Sequence, residues 1–148
     1  DRAAQVSHCE FLVKGVKSLQ DRAMVKGEAE YDSEKVYLCG YCMSPGVWFF
    51  FGVTSVWLDF KYTLHKGDMD DEVQWPFKHK VRGSIIHPTG RQDIVQEVGP
   101  NSSRAYNQKP TTSSNKAFYA SSYIGLQELI RDGYVDNDQL RIKFELLP

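Results

Sequence analysis

Residues 56–64 read Val-Trp-Leu-Asp-Phe-Lys-Tyr-Thr-Leu, and apolar side chains occupy every second position: Val56, Leu58, Phe60, Tyr62 and Leu64. Asp59 and Lys61 stand between them. Successive side chains of a strand point to opposite faces, so this spacing predicts a half-buried strand with one apolar and one polar face. Leu140, Ile142, Phe144 and Leu146 repeat the pattern, with Arg141, Lys143 and Glu145 interleaved.

Shorter apolar runs lie at 9–13, 36–38, 47–51, 81–86 and 94–98. Turn-forming residues separate them, at Ser44-Pro45-Gly46, Lys66-Gly67-Asp68, His87-Pro88-Thr89-Gly90 and Gly99-Pro100-Asn101-Ser102. Short strands at such spacing predict an all-β antiparallel sandwich. One segment departs from period two. Leu126, Leu129 and Ile130 follow helical spacing, and Gly133 can close the turn, which predicts one short helix over about 124–132.

The chain has 148 residues, enough for one domain with a core of its own, and we read residues 1–8 as a lead-in and 9–148 as that domain. Lys plus Arg number 18 and Asp plus Glu 19, so no positive excess exists to drive binding to nucleic acid. The longest apolar run, 47–53, is far below the roughly 18 residues of a spanning helix, which argues against membrane insertion. Three cysteines fit a reducing, cytoplasmic setting better than a disulfide framework. The chain opens on Asp1 rather than Met, and we read it as a piece of a longer protein.

Candidate chemistry is sparse. Cys39-Gly40-Tyr41-Cys42 has the C-x-x-C form, but no second ligand pair is spaced to complete a zinc site, and an offset of three puts the thiols on opposite faces of a strand. We read them as packing or surface cysteines. Asp68, Asp70, Asp71 and Glu72 lack the alternation and closing Glu of a calcium loop and read as a solvated turn. His8, His65, His79 and His87 fall in no ligand pattern, and no nucleophile elbow, phosphate loop or dinucleotide fingerprint occurs. The sequence therefore predicts no cofactor and no catalytic residue. Asn101-Ser102-Ser103 forms a glycosylation sequon, read as a loop feature.

Several motifs resemble those of one family. Trp75-Pro76-Phe77, eight residues after Gly67, is similar to the glycine, aspartate and Trp-Pro-Phe signature of the meprin and TRAF homology (MATH) domain. Gly40-Tyr41 resembles the Gly-Tyr opening a central strand of that family, and Asn107-Gln108-Lys109-Pro110 its Phe-Gln-Arg-Pro segment. The stretch from Phe118 through Leu126, Leu129, Tyr134-Val135 and Asp136-Asn137-Asp138 to Leu140 resembles its last helix and strand. The resemblance runs from about 9 to 146 and is strongest to the C-terminal domains of TRAF signalling adaptors.

It implies an eight-stranded topology and a non-enzymatic adaptor that binds short extended peptides of receptors or other adaptors by strand addition. Carried over by position, the peptide-binding residues are Trp48, Arg104, Ala105, Tyr106, Asn107, Phe118 and Ala120, with main-chain pairing over 105–107. The family's serines fall slightly early, at Ser102 and Ser103. Either a shift of one or two residues restores them or the chain lacks those hydroxyl contacts. Where family members that grip an acidic or aromatic peptide end carry an arginine, this chain has Gly46, and where a tyrosine often follows it has Trp48. The resemblance also implies a trimeric parent, assembled through an upstream coiled coil. Alternative uses of the fold are substrate recognition for a ubiquitin ligase or deubiquitinase, and an interaction domain in a secreted meprin-like protease.

Overall fold

In the computed structural model, which describes residues 6–100 and 104–148, residues 56–64 fall within one long central strand. The chain order is β1 (His8–Lys14), α1 (Val16–Lys26), β2 (Glu28–Asp32), β3 (Val36–Leu38), β4 (Tyr41–Gly52), β5 (Ser55–His65), β6 (Lys80–Ile86) and β7 (Ile94–Val98). A single 3-10 turn (Ala105–Asn107) follows, then β8 (Phe118–Tyr119), β9 (Ile124–Gly125), α2 (Leu126–Arg131) and β10 (Gln139–Leu147). The sequon and Ser102 and Ser103 lie outside the described residues, as do residues 1–5.

Two antiparallel sheets form the sandwich. The first has the order β1-β10-β6-β7; in the second, β4 and β5 are central, flanked by β2 and β3 on one side and β8 and β9 on the other. Each flanking pair is one edge strand interrupted by a break, which recovers eight strands as the expected topology. Val56, Leu58, Phe60, Tyr62 and Leu64 of β5 face Leu140, Ile142, Phe144 and Leu146 of β10 across the core, and all are buried. The Trp-Pro-Phe segment contributes Phe77, which is buried with its ring 4.9 Å from Tyr41 and 5.6 Å from Tyr62.

Ser44-Pro45-Gly46 is not the turn its composition predicts: it lies inside β4. Pro45 sits opposite the gap between β2, whose last pair is Asp32 with Gly46, and β3, whose first is Val36 with Met43. The Pro45 carbonyl accepts from Ser33 N at 2.8 Å, so the missing N–H points to the same gap, where no ladder bond is lost.

The predicted helix near the C-terminus is present as α2, and a second, longer helix, α1, accompanies it. Val16, Leu19 and Ala23 of α1 are buried on one face. Its first N–H groups are satisfied from a distant part of the chain: the Asp138 carbonyl accepts from Gly15 N and Val16 N, both at 3.1 Å, and the Asp138 carboxylate from Lys17 N at 2.9 Å. Gly27, at φ 93°, closes the last turn with its N–H on the Ala23 carbonyl.

Candidate functional site

The register of the second sheet lays its outward side chains in rows. Glu28, Phe50 and Trp57 form one row, Glu30, Trp48 and Asp59 the next, and Asp32, Gly46, Lys61 and Tyr119 a third. The aromatics join across the rows. Trp48 stacks on Phe50 with centroids 4.4 Å apart and meets Tyr119 at 5.0 Å, while Tyr123 packs edge-on against Phe50 at 4.9 Å. Tyr119 and Tyr123 remain 36% and 52% exposed, so the four rings form a shelf open to solvent.

The polar half of β5 does not simply face water. Asp59 and Lys61 are as buried as core residues, at 0% and 4% exposure: Tyr119 lies beside Lys61, and the backbone after Tyr119 closes over Asp59. Asp59 accepts from Ser121 N at 2.9 Å and from Ser122 N at 3.1 Å, which ties the break between β8 and β9 to β5. Burial pushes its carboxyl above the usual aspartate range, against the lowering effect of those N–H donors. Lys61 reaches Asp32 Oδ1 at 2.7 Å and Glu30 Oε2 at 3.5 Å, with its ammonium 5.8 Å from the Tyr119 ring centre. Trp48 Nε1 donates to Glu28 at 2.9 Å, and the Tyr119 hydroxyl donates to Glu30. Desolvation and the neighbouring carboxylates raise the Tyr119 phenol well above its ordinary value.

Beside the shelf, the second sheet ends at β8. Ala120 N donates to the Phe60 carbonyl at 3.0 Å, so Phe118 and Ala120 turn their backbone groups toward β5, and Tyr119 turns its N–H and C=O outward. A narrow apolar slot opens between this edge and β7, lined by Phe60, Tyr62, Val98, Phe118 and Ala120 among others.

The residues proposed from sequence separate into three places. Trp48 belongs to the shelf. Phe118 points the other way, into the core, 4.8 Å from Tyr62 and 5.1 Å from Tyr106, so it and Trp48 lie on opposite faces of one sheet. Ala120 is half-buried at the slot. Arg104 is exposed just before the 3-10 turn, in which Ala105, Tyr106 and Asn107 lie, so 105–107 is not the extended edge expected of it. The reason is local: Asn107 is 1% exposed, its Oδ1 accepts the Tyr62 hydroxyl at 2.7 Å and its carbonyl accepts Phe77 N at 2.8 Å, which folds the segment inward. Tyr119, Phe50 and Tyr123 complete the shelf, and the family resemblance carries over none of the three. Period two applied to β8 separates Tyr119 from Phe118 and was the signal available for it.

The other candidates are structural. Cys39 packs against the inner core, whereas Cys42 lies on the outward face beneath Gly67, whose Cβ, if present, would come 2.7 Å from that of Cys42. Burial raises both thiols. Among the described residues, no group of three or more His, Cys, Asp or Glu side chains is arranged to hold a metal. Of the acidic turn, Asp68, Asp71 and Glu72 are exposed as expected, but Asp70 is buried. It organises the turn, accepting Gly67 N on Oδ2 at 3.0 Å and Trp75 Nε1 on its carbonyl at 2.7 Å.

The family model of the TRAF/meprin MATH domain matches residues 29–143. The chain belongs to this family. Its fold agrees, since 44 solved chains match, among them Notothenia coriiceps TRAF5 with a TM-score of 0.81 at 20% identity, covering 95% of this chain and 72% of that one. No curated protein matches the sequence. As a MATH domain of TRAF-like fold, the chain is a protein-interaction domain rather than a catalytic one. Among the described residues, no helix is long and apolar enough to cross a membrane.

Proposed function

We propose that this MATH domain is an adaptor module that takes up an extended peptide as an added strand on β8, pairing through the outward N–H and C=O of Tyr119. The observation that carries this reading is the open β8 edge with a different surface on each side: the aromatic shelf outside and the apolar slot inside. A strand alternates its side chains, so one set meets Trp48 and Tyr119 while the other enters the slot beside Phe118 and Ala120. The pairing site is thus shifted from 105–107 to Tyr119, with Tyr106 contributing by supporting Phe118.

A short edge gives few main-chain bonds, so a single peptide binds weakly. In this reading the domain works in the cytoplasm on receptor or adaptor tails, and a coiled coil upstream gathers three copies, raising apparent affinity through effective concentration. The three free thiols suit that compartment.

Backbone N-methylation tests the reading directly. Binding of a hit from a receptor-tail peptide library, measured by titration, should be lost when alternate peptide N–H groups are methylated and retained when the intervening ones are. Trp48→Ala and Phe118→Ala should each weaken it. Uniform tolerance of methylation, or hits that neither substitution weakens, would remove strand addition at β8 from consideration.

A further inference from the structure

Resting on the strand-addition reading, we infer that the peptide position above the aromatic shelf is occupied by a cationic side chain, lysine or arginine, and that acidic residues are rejected there. The shelf is walled along β2 by three carboxylates, Glu28, Glu30 and Asp32, on alternate outward positions. One cation, Lys61, belongs to the same rows, and it is 4% exposed and already engaged by Asp32 and Glu30. Lys35 is not among these rows; it acts on Cys42 and His65, which pair at the far end of β4 and β5. The rows therefore carry an excess of negative charge.

Gly46, between Asp32 and Lys61, has no room to supply another cation. A Cβ at Gly46 would sit 2.4 Å from the Tyr31 carbonyl oxygen and 2.8 Å from Asp32 Oδ1, so a side chain at Gly46 requires β2 to shift. An anionic ligand group would meet Glu30 and Asp32, which are 34% and 50% exposed, while Lys61, the cation of these rows, is already engaged by both. A cationic one meets those carboxylates and the faces of Trp48 and Tyr119, and charge and quadrupole act together. Two of the carboxylates are already oriented, Glu28 by Trp48 Nε1 and Glu30 by the Tyr119 hydroxyl, so less ordering remains to be done on binding.

The test uses acetylated, amidated octapeptide libraries, randomised over uncharged residues, with one position fixed in turn as Lys, Arg, norleucine or Glu. At the position whose side chain faces the shelf, Lys and Arg series should bind about tenfold more tightly than Glu at low salt, with norleucine between. Raising salt from about 50 to about 300 mM should shrink that gap. The Glu28→Gln/Glu30→Gln variant, which leaves Asp32 to Lys61, should reduce it to about twofold, and Glu28→Gln alone should reduce it partly, with thermal melts confirming that both remain folded. Binding that follows the N-methylation pattern but favours Glu, or is indifferent to charge, overturns this inference and leaves strand addition standing. Absence of binding from every series, or binding blind to N-methylation, overturns both.

Discussion

Lys61 spans the strand beside it: its ammonium lies 2.7 Å from Asp32 Oδ1, and between the two residues β4 passes as Gly46, paired to Asp32 on one side and Lys61 on the other. The glycine and the ion pair are one device. Without a side chain at Gly46, β2 and β4 approach closely enough for the bridge to close over the backbone, and the bridge then fills the space that a side chain would take.

Gly46→Ala tests the first half of that device. Its new methyl would lie 2.4 Å from a backbone oxygen, which cannot rotate away as a side-chain end can. Overpacking of this kind costs about 1–3 kcal/mol, and Gly46→Arg should cost at least as much while failing to create an anion site. Equilibrium urea unfolding measures both. An alanine variant as stable as the parent would show that β2 moves freely at this point.

The second half predicts an asymmetry. Lys61 is buried, whereas Asp32 and Glu30 are 50% and 34% exposed, so Lys61→Met leaves two carboxylates that water already reaches and keeps an unbranched apolar stem under the shelf. Its cost should be within about 1 kcal/mol. Asp32→Asn combined with Glu30→Gln leaves a buried ammonium without either carboxylate and should cost about 3 kcal/mol. Comparable losses from the two variants would place the energetic weight on packing rather than on charge.

These contacts also mark how far the sequence could be read. β5 was legible because its inward set is apolar without exception, and the same holds for β10. Pro45 misled, since whether a strand tolerates proline depends on what lies alongside, and the gap between β2 and β3 is a property of the sheet. α1 escaped notice although Gly15 and Gly27 bracket it and Val16, Leu19 and Ala23 have helical spacing, because its N-terminal acceptor is Asp138, 121 residues from Lys17. The family motifs led to Trp48 and Phe118 but could not show that they face opposite ways, which follows from pairing Phe118 with Tyr62 and Trp48 with Asp59.

Asn107 illustrates a motif residue whose role changed. Its side chain joins the Tyr62 hydroxyl to the turn after Arg104, and its carbonyl holds Phe77 N. Asn107→Ala should strand the Tyr62 hydroxyl in the core at a cost of about 2 kcal/mol. Tyr62→Phe should cost less once Asn107 is already alanine, with a coupling of about 1 kcal/mol in the double-mutant cycle. Additive effects would mean that the two side chains do not depend on each other.

Asp59 sets a pH dependence opposite in sign to that of most aspartates. Burial raises its folded-state pKa above the ordinary value of 3.8, so at pH values between the two the native protein binds more of this proton than the unfolded chain does. Stability from this group therefore falls as pH rises through the folded pKa and grows as pH falls toward 3.8, below which both states are protonated and the contribution levels off. Asp59→Asn removes the titration and keeps the shape. The unfolding free energy of the parent minus that of the variant should increase as pH is lowered from neutral toward 4, cancelling the other carboxylates that both proteins share. A difference that decreases over that range would mean that the N–H donors of Ser121 and Ser122 outweigh burial at this site, and that the tie between β5 and the β8 edge is strongest with the carboxylate charged.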